Sequence, residues 1–223
     1  MLEIQGLEGV KGMLFDCYKT LIDIQTDESS LDTYRPISSW LIYQGVKITP
    51  EELMAEYKGS CRMEIEAGFE RYPEVKVERV FSSICKRHAL WNIDEAVVGI
   101  ETARAFRAGS LRRLQAFPQS LRLLDQFQGY SLGIVSNGQR VFSELELKYL
   151  DLYKYFQLVI FSSDLGYKKP DPRIFQAATQ QLGLRPEEMM YIGDSFENDI
   201  IPSIKLGMKA MHIEEAWRFF KTI

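Results

Sequence analysis

Five short apolar runs, each ended or followed by a small or acidic polar residue, constrain this 223-residue chain more than any other feature. Gly12-Met-Leu-Phe-Asp16, Tyr130-Ser-Leu-Gly-Ile-Val-Ser136, Phe156-Gln-Leu-Val-Ile-Phe161, Met190-Tyr-Ile-Gly-Asp194 and Met208-Lys-Ala-Met-His-Ile213 have the length and continuity of strands buried on both faces. Between them, Pro118 to Phe127, Val141 to Leu150, Pro172 to Leu182 and Asn198 to Leu206 carry apolar residues three and four apart and read as helices. Strand and helix alternating from residue 118 onwards predict an α/β fold, a doubly wound, Rossmann-like parallel sheet. The interval from Ile24 to Arg113 breaks the alternation. It is too long for a loop, has helical periodicity and shows no convincing alternating strand, so it reads as an all-α domain inserted after the first strand. The expected division is therefore residues 1–23 and 114–223 for the core and 24–113 for the insertion.

Composition excludes several function classes. At 46% hydrophobic and 26% charged residues the chain is globular in type, and a net charge of −4 supplies no positive field for nucleic acid or an anionic membrane. Cys17, Cys61 and Cys85 form an odd set without Cys-x-x-Cys spacing, and His88 and His212 alone cannot complete a zinc site. The first eight residues lack a basic segment followed by an apolar one, and later apolar runs are strand-length. The expectation is a reduced, cytoplasmic protein, monomer or homodimer, with no nucleic acid or membrane partner.

In open parallel sheets, ligands bind beyond the carboxyl ends of the strands. Asp16, Ser136, Lys169 and Asp194 all fall at or just after such ends. A single Asp there reads as a turn or helix cap; four polar residues together read as a site. Asp16-Cys-Tyr-Lys-Thr-Leu, Val135-Ser136-Asn-Gly, Lys169-Pro-Asp-Pro-Arg-Ile-Phe and Gly193-Asp-Ser-Phe-Glu-Asn-Asp199 resemble, in order, the four motifs of the haloacid dehalogenase-like hydrolase superfamily. The insertion resembles the helical cap that many members carry. The resemblance implies a hydrolase in which Asp16, Tyr18 and Lys169 are catalytic and Thr20, Ser136, Asn137 and Gly138 bind substrate. It further implies that Asp16, the main-chain carbonyl of Tyr18, Asp194 and Asp199 hold Mg2+.

Those residue types suit the chemistry. A carboxylate attacks a phosphate ester only if a cation and fixed donors cancel the repulsion between the two anions. Asp194 with Asp16 supplies oxygen ligands for magnesium, Lys169 neutralises charge, and Ser136 donates to a phosphate oxygen. The two ends of the motif set point differently. Phosphatases of the superfamily carry a second Asp two residues after the nucleophile as acid and base; this chain has Tyr18, a poor base at neutral pH. Asp-x-Tyr-x-Thr is similar to the 2-haloacid dehalogenases, whose fourth motif nevertheless lacks the carboxylate that Asp194 brings. A magnesium-dependent phosphohydrolase of a small phosphate monoester is the leading expectation. A 2-haloacid dehalogenase and a non-catalytic or slow binding protein are the alternatives.

Arg104, Arg107, Arg112, Arg113 and Arg122 form a basic run read as a solvated face paired with acids, with an anion-attracting rim as the other reading. Trp40, Tyr43, Tyr57, Phe69, Tyr72, Phe81 and Trp91 are expected in the core of the insertion. Cys17 is expected to pack away from Asp16, His88 at the surface and His212 packed, with Trp217-Arg-Phe-Phe-Lys on the sheet or on a second subunit.

Overall fold

The computed structural model describes residues 7–220. In chain order the elements are β1 (Gly12–Phe15), β2 (Ile22–Thr26), α1 (Leu31–Tyr43), α2 (Pro50–Ala67), α3 (Val77–Arg87), α4 (Glu95–Ser110) and β3 (Leu111–Ala116). They continue with α5 (Pro118–Gln126), β4 (Ser131–Ser136), α6 (Arg140–Tyr149), β5 (Leu158–Phe161), α7 (Ser162–Leu165) and α8 (Pro172–Leu182). Last come β6 (Met189–Gly193), α9 (Ile201–Lys205), β7 (Lys209–His212) and α10 (Ile213–Phe219). Residues 1–6 and 221–223, which include part of the amino-terminal segment and Lys221, lie outside the described residues.

The five apolar runs form one parallel sheet in the order β5-β4-β1-β6-β7. β1 is central and its four residues are buried, flanked by β4 (Phe15 opposite Ile134) and β6 (Phe15 opposite Ile192). Two apolar layers cover the sheet. Phe15, Phe127, Ile134, Phe161 and Ile192 belong to one, and Leu14, Val135, Phe175 and Tyr191 to the other, as alternation along the strands requires. The carboxyl-terminal aromatics pack on this sheet unit: Phe220 meets Phe127 edge-on at 5.0 Å, and Trp217 lies 5.0 Å from Phe117 and donates to Ser120 Oγ.

Helices α1 to α4 build a second apolar cluster around Tyr34, Leu41, Phe81, Ile84 and Phe106. Their sequences explain their ends and faces. Thr49 and Glu52 form a reciprocal cap before α2, with Pro50 as its first residue. In α3, Val77, Val80, Phe81, Ile84 and Cys85 make one buried stripe. Among the aromatics expected in this core, Tyr57 stacks on Phe81 at 4.7 Å, whereas Tyr43, Phe69 and Trp91 are exposed. His88 is half-buried, its Nε2 2.6 Å from Glu56.

Two differences from the sequence reading have physical causes. β2 and β3 form an antiparallel ribbon that carries the chain into and out of the helical module, so divisions at 23/24 and 113/114 cut through paired strands. Asp23, Gln25, Arg112, Arg113 and Gln115 give the ribbon a polar surface, and the register shifts at Gln25/Thr26, which hides the alternation. The helix expected from Asn198 starts instead as a π-helical turn at Phe196–Ile200 before α9, with Ser195 as its cap. Among the described residues no helix is long and apolar enough to cross a membrane.

Candidate active site

Asp16 stays in register beyond β1, its N–H donating to Ile192 O at 2.9 Å. The chain then turns sharply: the N–H groups of Leu21 and Ile22 both donate to Cys17 O, and Lys19 adopts a left-handed φ of 59°. Asp16, Tyr18 and Lys19 thereby line a cleft of about 300 Å³ at the carboxyl edge of the sheet. Ser136 and Asn137 reach it from the end of β4, Asp194 and Ser195 from the end of β6, Asn198 and Asp199 from the π-helical turn, and Lys169 from the segment before α8.

Lys169 is the hub. Its side chain is 2% exposed, and Nζ donates to Asp16 Oδ1 (2.7 Å), Asp199 Oδ1 (2.6 Å) and Tyr191 Oη (2.8 Å), which accounts for all three ammonium donors. Burial pulls the ammonium down, but Asp16 and Asp199 outweigh it and hold the group above the ordinary lysine value. Tyr191 is itself oriented by donating to Val135 O at 2.6 Å. Asn137 brackets the lysine backbone: Lys169 N–H donates to its Oδ1 (2.8 Å) and its Nδ2 donates to Lys169 O (3.1 Å). Asp199 is fixed from the other side by the Ser195 N–H, 3.0 Å from Oδ2.

Carboxylate oxygens of Asp16, Asp194 and Asp199 lie within 4.8 Å of one another. Burial, with the charges of Asp16 and Asp199, pushes Asp194 up to about 6, against the weaker pull of Lys19 and Lys169. Burial likewise raises Asp199, with Lys169 opposing. Three converging carboxylates against Lys169 and Lys19 leave net negative charge on hard oxygen donors, which suits a divalent cation such as magnesium. Ser136 Oγ, buried beside this cluster, has no hydrogen-bond partner and is available to a ligand oxygen.

Other expected site residues have their polar groups engaged within the protein or lie outside the cleft. Thr20 is fully buried and outside the cleft lining; its carbonyl accepts from Ser120 Oγ at 2.5 Å. The Gly138 N–H is taken by Ser162 Oγ at 3.0 Å. The Tyr18 hydroxyl donates to Glu146 Oε2 at 2.6 Å and meets Ser143 Oγ at 2.6 Å and Arg107 Nη2 at 3.3 Å. Burial, then Cys17 and Glu146, hold that phenol well above the ordinary tyrosine range. Cys17 is fully buried, and burial raises its thiol in the same way. His212 stacks on Phe196 at 5.3 Å and its Nε2 bonds Asp194 O at 2.9 Å, so it supports the site from outside.

Sequence reasoning missed Lys19, Tyr191, Ser195 and Asn198. A tyrosine in an otherwise apolar strand needs a partner for its hydroxyl and was the available signal for Tyr191. It also missed Glu146 and Ser143, and it treated Arg107 as one member of a run. Arg104, Arg112 and Arg113 do pair with acids at the surface (Glu101, Asp27 and Asp23), whereas Arg107 is buried against Glu146 at 2.9 Å.

A glyceraldehyde 3-phosphate phosphatase of Methanopyrus kandleri is 34% identical over 102 residues, 45% of this chain and 44% of that protein. A phosphoglycolate phosphatase of Salmonella typhimurium is 35% identical over 95 residues, 43% of this chain and 37% of that protein. The chain thus matches less than half the length of these curated relatives. Among solved structures, a 2-haloacid dehalogenase of Pseudomonas syringae pv. Tomato superposes with a TM-score of 0.60 at 22% identity, over 90% of this chain and 85% of that one. A phosphatase of Thermococcus onnurineus does so with a TM-score of 0.56 at 23% identity, over the same shares. At these identities the superpositions establish the fold alone. The family model for haloacid dehalogenase-like hydrolases matches residues 13–213, a span containing Asp16, Ser136, Lys169, Asp194 and Asp199, and the chain belongs to that family.

Proposed function

We propose that this protein is a magnesium-dependent phosphohydrolase that cleaves a small, anionic phosphate monoester through an aspartyl-phosphate on Asp16, in the cytoplasm. The observation that carries the reading is Asp194, whose carboxylate converges with those of Asp16 and Asp199. Relatives named for glyceraldehyde 3-phosphate and phosphoglycolate support release of phosphate from a small anionic molecule, without fixing the leaving group.

Asp16, Asp194 and the main-chain carbonyl of Tyr18 would hold the ion, with Asp199 supporting them through Lys169 and the Ser195 N–H. Bound magnesium would supply electrostatic relief between Asp16 and the phosphoryl oxygens. Lys169 occupies Asp16 Oδ1, which leaves Oδ2 as the attacking atom. The Asp16 Oδ2–P bond forms as the bond to the leaving oxygen breaks; water then attacks phosphorus and frees phosphate and the carboxylate. Ser136 Oγ donates to a phosphoryl oxygen, and Asn137 acts by fixing Lys169. The helical module is the cap. It meets the core through Glu74, which accepts from Ser162 Oγ at 2.6 Å, and through Arg107.

Tyr18 favours a second reading, the 2-haloacid dehalogenase, because a departing halide needs no proton. Asp194 weighs against it, since a carboxylate substrate would face an extra negative charge. Phosphate release from a panel of phosphate monoesters, with and without magnesium, tests the leading reading. Release that needs magnesium and vanishes in Asp16→Asn supports it and removes the non-catalytic reading; chloride release from 2-chloropropionate without phosphate release overturns it.

A further inference from the structure

A phenol stands two residues beyond Asp16, and its hydrogen bonds fix where its proton goes. Tyr18 Oη has one proton, and Glu146 Oε2 accepts it at 2.6 Å. Because that proton is spent, the 2.6 Å bond to Ser143 runs from the serine hydroxyl to the phenol oxygen. Arg107 Nη2 adds a second donor at 3.3 Å, so both lone pairs of Oη face a donor. The shell is largely buried. Glu146 and Arg107 are 7% and 13% exposed and paired at 2.9 Å, and the guanidinium lies 4.1 Å from the centre of the Phe142 ring. The Tyr18 ring is wedged beside Gly138, where an added Cβ would stand 3.5 Å from Cε2. To protonate a leaving oxygen the hydroxyl must abandon a carboxylate; to accept a proton from water it must shed a donor.

We propose that this shell removes Tyr18 from proton transfer, so that the substrates are phosphoryl groups on oxygens that depart as stable anions: acyl phosphates and phosphate esters of phenols or enols, rather than of ordinary alcohols. The inference rests on the phosphohydrolase reading. As Asp16 Oδ2 bonds to phosphorus, the leaving oxygen takes both electrons of the breaking P–O bond and departs as carboxylate or phenolate. It needs no proton from the protein. Water then attacks phosphorus, the Asp16–phosphate bond breaks towards the carboxylate, and the proton of water passes to solvent. An alkoxide, by contrast, leaves only with a proton, and positioned acid or base catalysis typically contributes about 10²- to 10⁴-fold.

The test is kcat/KM with magnesium for acetyl phosphate, a series of substituted phenyl phosphates and glycerol phosphate, in wild type, Asp16→Asn and Tyr18→Phe. The expected result is a steep fall in rate as the leaving group becomes more basic, with glycerol phosphate slower than acetyl phosphate by about 10²-fold or more. Tyr18→Phe is expected to keep the same slope of rate against leaving-group basicity as wild type, whatever it does to the absolute rate. Comparable rates for glycerol phosphate and acetyl phosphate, or a markedly steeper fall with leaving-group basicity in Tyr18→Phe than in wild type, overturn the inference while the phosphohydrolase stands. The leaving-group series in wild type decides even if Tyr18→Phe folds poorly. Absence of magnesium- and Asp16-dependent phosphate release from every substrate overturns both.

Discussion

Asn137 holds the backbone of Lys169 from both sides, accepting its N–H at 2.8 Å and donating to its carbonyl at 3.1 Å. In the proposed reaction the asparagine would act through the lysine, and its two bonds separate by substitution. Asn137→Asp keeps the acceptor and loses the donor; Asn137→Ala loses both. A misplacement near 1 Å at a reacting group costs about 10²-fold, so Asn137→Ala is expected to lower kcat on that order, with KM less affected. Asn137→Asp should fall between it and wild type. Steady-state kinetics on the best substrate of the panel check the order.

Gly193 is held to glycine by Asp199 rather than by its own backbone. A Cβ there would stand 2.4 Å from Asp199 Oδ2, and Asp199 cannot retreat without breaking its bonds to Lys169 and the Ser195 N–H. Gly193→Ala is expected to cost about 1–3 kcal/mol as an overpacked site and to lower activity through the displaced Asp199–Lys169 pair. Urea unfolding and kcat, measured on the same preparation, should move together.

The sheet and the site's location were legible for one reason: parallel strands buried on both faces read as continuous apolar runs, and doubly wound topology places their ends at the binding edge. Asp16, Ser136, Lys169 and Asp194 could be placed that way. What each polar atom bonds to could not. The partner of Tyr18 is Glu146, more than a hundred positions later on α6, and the partner of the Gly138 N–H is Ser162. Thr20, two residues beyond Tyr18 on the same tight turn, is fully buried and outside the cleft lining. The β2–β3 ribbon escaped notice because its strands are half-exposed, so polar residues interrupt the alternation.

If Asp194 holds the proposed magnesium ion, binding depends on pH, because burial and the charges of Asp16 and Asp199 raise its carboxyl. Its carboxyl titrates near 6 in the metal-free protein against an ordinary 3.8, so between those values the folded state binds more protons than the unfolded one. Its contribution to stability is greatest below the unfolded value and is lost as pH rises through about 6. A bound cation relieves that cost only where Asp194 is ionised. Thermal melts should show a magnesium-induced rise in Tm that is large at pH 7.5 and small at pH 5. Asp194→Asn should raise the metal-free Tm at pH 7.5 and abolish the magnesium effect; an equal magnesium effect at both pH values would contradict the assignment.

Arg107 and Glu146 join the helical module to the core by an ion pair with little solvent, on α4 and α6 respectively. Removing one partner of such a pair strands the other, at a cost of about 3–5 kcal/mol, whereas replacing both is often close to neutral. Arg107→Met is therefore expected to be strongly destabilising, and Arg107→Met with Glu146→Gln much less so, since the glutamine oxygen still accepts from Tyr18. Burial already lifts Glu146 above the usual carboxylate range despite Arg107 and Tyr18. Losing Arg107 lifts it further, so the single variant should regain stability as pH falls and Glu146 is neutralised, while the double variant should not. Urea titrations of wild type, both single variants and the double variant at pH 5.5 and 8 measure the coupling; additive effects at both pH values would show that the pair does not bind the two units together.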